Sequence, residues 1–364
     1  MQQCYKGLCL LPVLADAVVV FDEVHSFDVG LFDAFLKFLQ HFDLPVLAMT
    51  ASLPEGRRQL LEAEGLHLYT GADQADLTAN AELERYEVKA IADDQEAETA
   101  VRAALAKGDK LLWVVNTVDR AQALAQRLHD LDPICYHSRF TLDDRKQRHN
   151  EVIAAFQGEE AKGRLAITTQ VCEMSLDLDA RLLVSEYAPI SSLIQRMGRC
   201  NRQARPGANT PGQVLLYPGE SGLPYKPDEM ASVPVFVAEI DGQPVSQARL
   251  DALLQRITQS QGRESNRWAA FIDDGPWSSD AHCDELRDGD DRSAQAVLDD
   301  AIDAFLAAQS RKEPTDGFIL PTPRSLAKPD DRLPRYLKLA PASHYDPKLG
   351  LLKHPRSTDQ GGGQ

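Results

Sequence analysis

Asp22, Glu23 and His25 stand directly behind a β-branched run, Ala17 to Phe21 (AVVVF). A short, fully apolar run of this kind predicts a buried strand. In open α/β sheets, ligands bind at the carboxyl ends of strands. Two adjacent carboxylates there suit a metal-nucleotide site, with Asp22 holding Mg2+ through water and Glu23 polarising an attacking water. An acidic pair favouring the positive end of the next helix would account for the same residues.

Four further groups carry chemistry. Thr50-Ala51-Ser52 ends the run Pro45 to Met49, where the Thr50 and Ser52 hydroxyls can hydrogen-bond across to a strand-end carboxylate; hydroxyls at strand ends are also ordinary turn residues. Gln195, Gly198, Arg199 and Arg202 fall at i, i+3, i+4 and i+7, which predicts one helical face. Two arginines on such a face can stabilise charge developing on a transferring phosphate, and Gly198 allows close backbone approach. A solvated basic face is the alternative. Thr168 and Thr169 end the run Leu165 to Thr169 and Gln170 follows it, and their hydroxyls and amide suit contact with a phosphate backbone. Asp177, a few residues on, suits a ribose or a link between nucleotide and nucleic acid. Asn116-Thr117 and His137-Ser138-Arg139-Phe140 end two more predicted strands, with Ser138 and Arg139 the candidate phosphate contacts and His137 a hydrogen-bonded structural residue.

The elements that must position these groups alternate. Short β-branched runs and amphipathic helices follow one another to about residue 220, the pattern of βαβ units around a parallel sheet. Helices are expected over 27–42, 96–107, 119–131, 142–156 and 191–200, and strands over 110–116, 133–136, 165–169, 182–186 and 214–217. The predicted organisation is 1–85, 86–220 and, after Pro218, Pro224, Pro227 and Pro234, a linker and C-terminal part over 221–364. Helices are expected there over 247–259 and 294–308.

The 364 residues carry 39 basic and 55 acidic side chains, a net charge of −16. That balance disfavours whole-surface binding to nucleic acid or anionic membrane, though not a local basic groove. Six scattered cysteines form no C-x-x-C pair, which reads as reduced thiols in a cytoplasmic protein. The longest apolar stretch, Leu8 to Phe21, is interrupted by Pro12 and Asp16 and is too short to span a bilayer.

In this order, the groups at Asp22-Glu23-Val24-His25, Thr50-Ala51-Ser52, Thr168-Thr169-Gln170 and Gln195-Arg196-Met197-Gly198-Arg199-Cys200-Asn201-Arg202 resemble motifs II, III, V and VI of superfamily 2 helicases. His137-Ser138-Arg139-Phe140 followed by Asp144-Arg145, and Glu173-x-Ser175-Leu176-Asp177-x-Asp179, narrow the resemblance to the CRISPR-associated helicase-nucleases of type I systems. The likeness covers residues from about 10 to 217. It implies an α/β fold of RecA-like parallel sheets, the first one incomplete, followed by a mostly helical C-terminal domain. It implies ATP and Mg2+ as cofactors, single-stranded DNA as the track and an RNA-guided CRISPR effector complex as partner. In those roles Glu23 is the water-orienting base, Asp22 the magnesium holder and Arg199 and Arg202 arginine fingers, with His25 and Gln195 completing the catalytic set. Thr50, Ser52, Asp177 and Gly198 couple the nucleotide, and Asn116, Thr117, Ser138, Arg139, Thr168, Thr169 and Gln170 contact the strand.

The sequence departs from that family in lacking any Gly-Lys-Ser or Gly-Lys-Thr, the end of the loop whose amides and lysine cradle phosphates. The lone His-Asp dipeptide, His129-Asp130, reads as structural and not as a nuclease metal site. The expectation is a piece of a longer motor; a split motor whose loop and nuclease come from a separate chain is the other organisation. A non-hydrolysing nucleic-acid-binding module and a DExH helicase acting on RNA are the alternative functions.

Overall fold

The first described strands form a parallel pair. In this computed structural model β1 (Val19–Phe21) lies beside β2 (Val46–Ala48), with Val19 opposite Val46 and Phe21 opposite Ala48. The described residues are 12–14, 16–22, 24, 27, 29–50, 53, 55–67, 79–157, 163–207, 210–258 and 293–355. They divide into two compact units, one drawn from Met1–Glu82 and Gln247–Asp291, the other from Leu83–Ser246 and Arg292–Gln364.

In the first unit, α1 (Val29–His41) carries the period-3.6 apolar stripe read from the sequence. Its Phe32 and Phe35 are buried with Val24 and with Leu61 of α2 (Glu55–Ala63). The Phe21 ring sits 4.3 Å from that of Phe35, which ties β1 to the helix. The strands alternate as a pleat demands. Phe21, Val46 and Ala48 face this cluster, while Val20 is 52% exposed and Leu47 50%. Apolar side chains on both faces are the signature of a parallel sheet covered on both sides. Among the described residues the cluster covers one side of this pair.

The second unit is built on seven strands in the order β5-β6-β4-β7-β8-β3-β9. These are β3 (Glu84–Ala90), β4 (Lys110–Val114), β5 (Ile134–Tyr136), β6 (Arg164–Thr168), β7 (Leu182–Glu186), β8 (Gly212–Tyr217) and β9 (Pro244–Ser246). All neighbours pair in parallel except β9, which runs antiparallel to β3. The central strands read as continuous apolar runs because both faces are buried: Leu111, Leu112, Trp113 and Val114 are 0% exposed. Helices α3 (Asp94–Ala106), α4 (Val118–Arg127), α5 (Leu142–Gln157), α6 (Val171–Ser175) and α7 (Ile190–Met197) connect them. Local chemistry starts two of these helices. Asp93 caps α3 by accepting from the Gln95 and Glu96 amides, both at 3.0 Å, and Thr117 caps α4 by accepting from the Arg120 amide.

The chain after residue 220 divides differently from the sequence reading. α8 (Pro227–Met230), α9 (Val233–Ile240) and β9 extend the second unit, while α10 (Gln247–Thr258) is grouped with the first. Residues from Ser293 onward return to the second unit. There α11 (Ile302–Ser310) accompanies a sheet in which β10 (Ser293–Leu298) pairs antiparallel with β11 (Ile319–Pro323) and parallel with β12 (Leu337–Ala340). A strand thus stands over 293–298, where the sequence led us to expect the start of a helix, and the C-terminal part carries this sheet besides its helices. A last hairpin, β13 (Tyr345–Asp346) and β14 (Gly350–Leu351), follows. The joint is apolar: Phe140, just after β5, is buried in one cluster with Ala296, Leu298, Leu320, Ala340, Tyr345 and Leu351. Burying a side chain of that size stabilises by roughly 1.5–3 kcal/mol, so these residues are held as part of the unit that they follow in sequence.

Candidate functional site

In the first unit the ladder continues past the strands. The Met49 amide donates to the Phe21 carbonyl at 2.7 Å and the Val24 amide to the Met49 carbonyl at 3.2 Å. Asp22 and Thr50 are therefore exposed neighbours at the carboxyl ends of two paired strands. Glu23, His25 and Ser52 lie outside the described residues. Among the described residues no group of three or more His, Cys, Asp or Glu is placed to hold a metal ion. A strand-end carboxylate such as Asp22 suits a hard cation that keeps most of its shell as water and ligand phosphates, the habit of Mg2+.

The second unit gathers most of the rest. The predicted helical face of Gln195, Gly198, Arg199 and Arg202 is corrected by the structure. α7 ends at Met197 with Gly198 as its cap, and the Arg199 and Cys200 amides turn back to Arg196 and Met197, each at 2.9 Å. Asn201 then takes φ 49°, a left-handed stop that Asn tolerates. Tertiary pairing causes the stop: the Ala180 amide donates to the Arg199 carbonyl and the Asn201 amide to the Ala180 carbonyl, both at 2.9 Å. A turn, and not a helical face, delivers Arg202. There its Nε lies 3.2 Å from Asp177 Oδ1, and its amide donates to Asp179 at 2.7 Å. Arg199 is half-buried, its guanidinium donating to the Cys172 carbonyl at 3.0 Å and to the Glu173 carbonyl of α6.

Arg196, between these residues, is the group that sequence reasoning missed. It is 0% exposed. Its guanidinium donates to Glu173 Oε1 at 2.8 Å, Ser185 Oγ at 3.0 Å, the Glu186 carbonyl at 3.3 Å and Tyr225 Oη at 3.0 Å. Burial works against its charge, yet Tyr225 and Glu173 facing it leave its pKa raised. Gln170 joins the network by donating to Tyr225 Oη at 3.3 Å and to the Asn116 carbonyl at 2.8 Å. The one available signal was Arg196 lying within an apolar helix, among Leu193, Ile194 and Met197.

Several predicted strand contacts are taken up by the fold. Thr168 and Thr169 are buried, and the Thr168 hydroxyl donates to the Thr169 carbonyl. Asn116, 2% exposed, donates to the Tyr187 carbonyl at 2.7 Å. Its amide donates to Glu186, which also holds Arg120 at 2.9 Å. Thr117 caps α4. Their side chains therefore position the loops, while Gln170, Ser138 and Arg139 retain part of their surface. Arg139 pairs with Asp119. His137 is fully buried: its Nε2 donates to the Leu349 carbonyl at 3.0 Å while Nδ1 accepts from the Arg139 amide at 3.2 Å. Desolvation pushes its pKa down to about 3. In His129-Asp130, the carboxylate pairs with Arg102 and the imidazole Nδ1 donates to the Gln126 carbonyl at 3.2 Å, a structural arrangement as read. Cys135, Cys172 and Cys200 are buried free thiols. No helix among the described residues is long and apolar enough to cross a membrane.

Residues 107–205 match a family described as CRISPR-associated nuclease/helicase Cas3, C-terminal. A putative CRISPR-associated nuclease/helicase Cas3 of Myxococcus xanthus is 37% identical over 86% of this chain and 42% of that protein. The CRISPR-associated endonuclease/helicase Cas3 of Escherichia coli is 32% identical over 57% of this chain and 28% of its own length. The chain thus spans less than half of these relatives. Among solved structures, T. fusca Cas3 with AMPPNP superposes with a TM-score of 0.69 at 18% identity, over 96% of this chain and 55% of that one. A chain of a CRISPR RNA-guided surveillance complex in its pre-nicking form gives 0.58 at 18% identity, over 89% of this chain and 53% of that one. At such identity the superpositions show the fold: RecA-like α/β units of the Cas3 helicase kind. Together the matches support a helicase portion of CRISPR-associated Cas3 proteins.

Proposed function

We infer, for this Cas3-like helicase portion, that it supplies the second motor unit and part of the first in an ATP-driven machine that tracks on single-stranded DNA in a type I CRISPR defence system. The observation that carries the reading is the pairing of Ala180 with Arg199 and Asn201, which fixes Arg199 and Arg202 on one turn beside the segment that carries Asp177. ATP, when bound, supplies the phosphoryl group that water attacks. Asp22 would hold the Mg2+ that accompanies the nucleotide, and the Glu23 carboxylate would orient the attacking water and accept its proton. Arg199 and Arg202 stabilise the charge developing on the phosphate oxygens. To reach a phosphate, Arg199 would have to give up its hydrogen bonds to the Cys172 and Glu173 carbonyls. His25 and Gln195 would complete the catalytic set, and Thr50, Ser52, Asp177 and Gly198 would couple the nucleotide to the strand.

The DNA backbone is held by Gln170, Ser138 and Arg139 on loops positioned by Asn116, Thr117, Thr168 and Thr169. The phosphate-cradling loop comes from a segment outside these residues, in the same polypeptide or a separate chain, and the open face of Val20 and Leu47 is the surface that the rest of its sheet would cover. The partner is an RNA-guided CRISPR effector complex, by analogy with the neighbour solved in such a complex. The CRISPR relatives favour this reading over an RNA helicase.

The test is DNA-stimulated ATP hydrolysis by the motor completed with its phosphate-binding segment. Replacing Glu23→Gln is expected to abolish turnover while DNA binding persists. Undiminished turnover would remove Glu23 from its role.

A further inference from the structure

The hairpin β13–β14 is docked on the loop that follows β5 by polar contacts as well as apolar ones. Gln122 Nε2 donates to the Leu349 carbonyl at 2.7 Å and to the Leu351 carbonyl at 3.0 Å. His137 holds the Leu349 carbonyl from the other side at 3.0 Å, and the Leu351 amide donates to the Arg139 carbonyl at 2.9 Å. The approach is so close that a Cβ on Gly350, where φ is +71°, would meet the Arg139 carbonyl oxygen at 2.5 Å. The hairpin and the Ser138-Arg139 loop are therefore one surface.

Two residues beyond β14, Lys353 reaches the carboxylate that Arg139 also reaches. Arg139 pairs with Asp119 Oδ1 and Lys353 with Asp119 Oδ2. The three side chains are 21%, 33% and 59% exposed for Arg139, Asp119 and Lys353. Two cations share one anion, so the cluster carries a net positive charge on a chain whose total is −16. Water-accessible cations bridged by a carboxylate can exchange it for a phosphate, which offers more acceptor oxygens and more charge.

We infer that Arg139 and Lys353 form a backbone-phosphate site for single-stranded nucleic acid, in which a phosphate displaces Asp119 from between them. The C-terminal hairpin then belongs to the strand-binding surface and is not an appendage. The inference rests on the reading that the second unit holds a single strand, and it adds Lys353 and Asp119 to the residues that do so.

The experiment measures binding of a fluorescent oligothymidylate to the full chain across a salt series. Each phosphate contact on a single strand contributes about 0.7 to the slope of log affinity against log salt. Lys353→Ala should weaken binding and flatten the slope by about 0.7, Lys353→Arg should restore it, and Asp119→Asn should tighten binding at every salt concentration. Lys353 is exposed enough that its removal should leave the melting curve unchanged, which separates lost charge from lost fold. Wild-type binding with an unaltered slope in Lys353→Ala would overturn the inference alone. Absence of wild-type binding at low salt would overturn the strand-binding reading and the inference with it. If inorganic phosphate in the low millimolar range displaces the oligonucleotide from wild type and from Lys353→Ala equally, the pair is not the phosphate site.

Discussion

Arg196 and Glu173 meet inside the second unit, Nε to Oε1 at 2.8 Å, with side chains 0% and 9% exposed. The pair joins the helix after β6 to the helix after β7 below the turn that carries Arg199 and Arg202. Removing one partner leaves an uncompensated buried charge, which costs about 3–5 kcal/mol. Arg196→Met and Glu173→Leu should each lower the unfolding free energy in chemical denaturation by that order, and the double variant should lose much less than their sum. Strict additivity in a double-mutant cycle would show that the two charges do not depend on each other.

Tyr225 lies well beyond the recognised motifs, yet its hydroxyl accepts from Arg196 Nη2 at 3.0 Å and from Gln170 Nε2 at 3.3 Å. Tyr225→Phe keeps the ring and strands two donors. It should cost about 1–3 kcal/mol in chemical denaturation. A change near zero would mean that the hydroxyl is replaceable.

His137 gives the second unit a predictable acid limit. Burial holds the imidazole neutral, with its pKa pushed from 6.5 down to about 3. Below pH 6.5 the unfolded chain binds a proton that the folded chain refuses, so stability falls as the pH drops from 6.5 toward 3, by up to about 1.4 kcal/mol per pH unit. His137→Gln should be less stable at neutral pH but should lose less between pH 6.5 and 4. Parallel pH profiles for the two proteins would contradict the assignment.

Gly350→Ala tests the docking of the hairpin. Positive φ and the 2.5 Å approach to the Arg139 carbonyl leave no room for a methyl group, and something must shift. Hydrogen exchange at the Leu351 amide should lose protection while amides in β4 keep theirs. Retained protection at Leu351 would show that the loop yields at little cost.

The strands and most helices of the second unit were legible because a doubly buried parallel sheet writes itself as apolar runs, Leu111 to Val114 above all, while the order of the strands was not. Asp22 and Thr50 were readable as strand-end neighbours for the same reason. Three things were not legible. The turn at Asn201 depends on a pairing with Ala180, and periodicity continued the helix through it. Arg196 and Glu173 are charged residues in a core, where composition places charge outside. The hairpin at Leu349–Leu351 meets Gln122 and His137 across more than 200 residues, a distance at which no local pattern carries information. Thr168, Thr169 and Asn116 were found as special positions, but all three are buried, and the Thr168 and Asn116 side chains bind the protein's own backbone.

The most direct test of the account is DNA-stimulated ATP hydrolysis by the completed motor carrying Arg202→Ala. Arg202 and its partner Asp177 are 45% and 74% exposed, so stability should change by less than about 0.5 kcal/mol. Turnover should nevertheless fall by about 10³-fold or more, as for loss of an arginine that stabilises a transferring phosphate. Wild-type turnover in Arg202→Ala would contradict the claim that this turn completes the catalytic site.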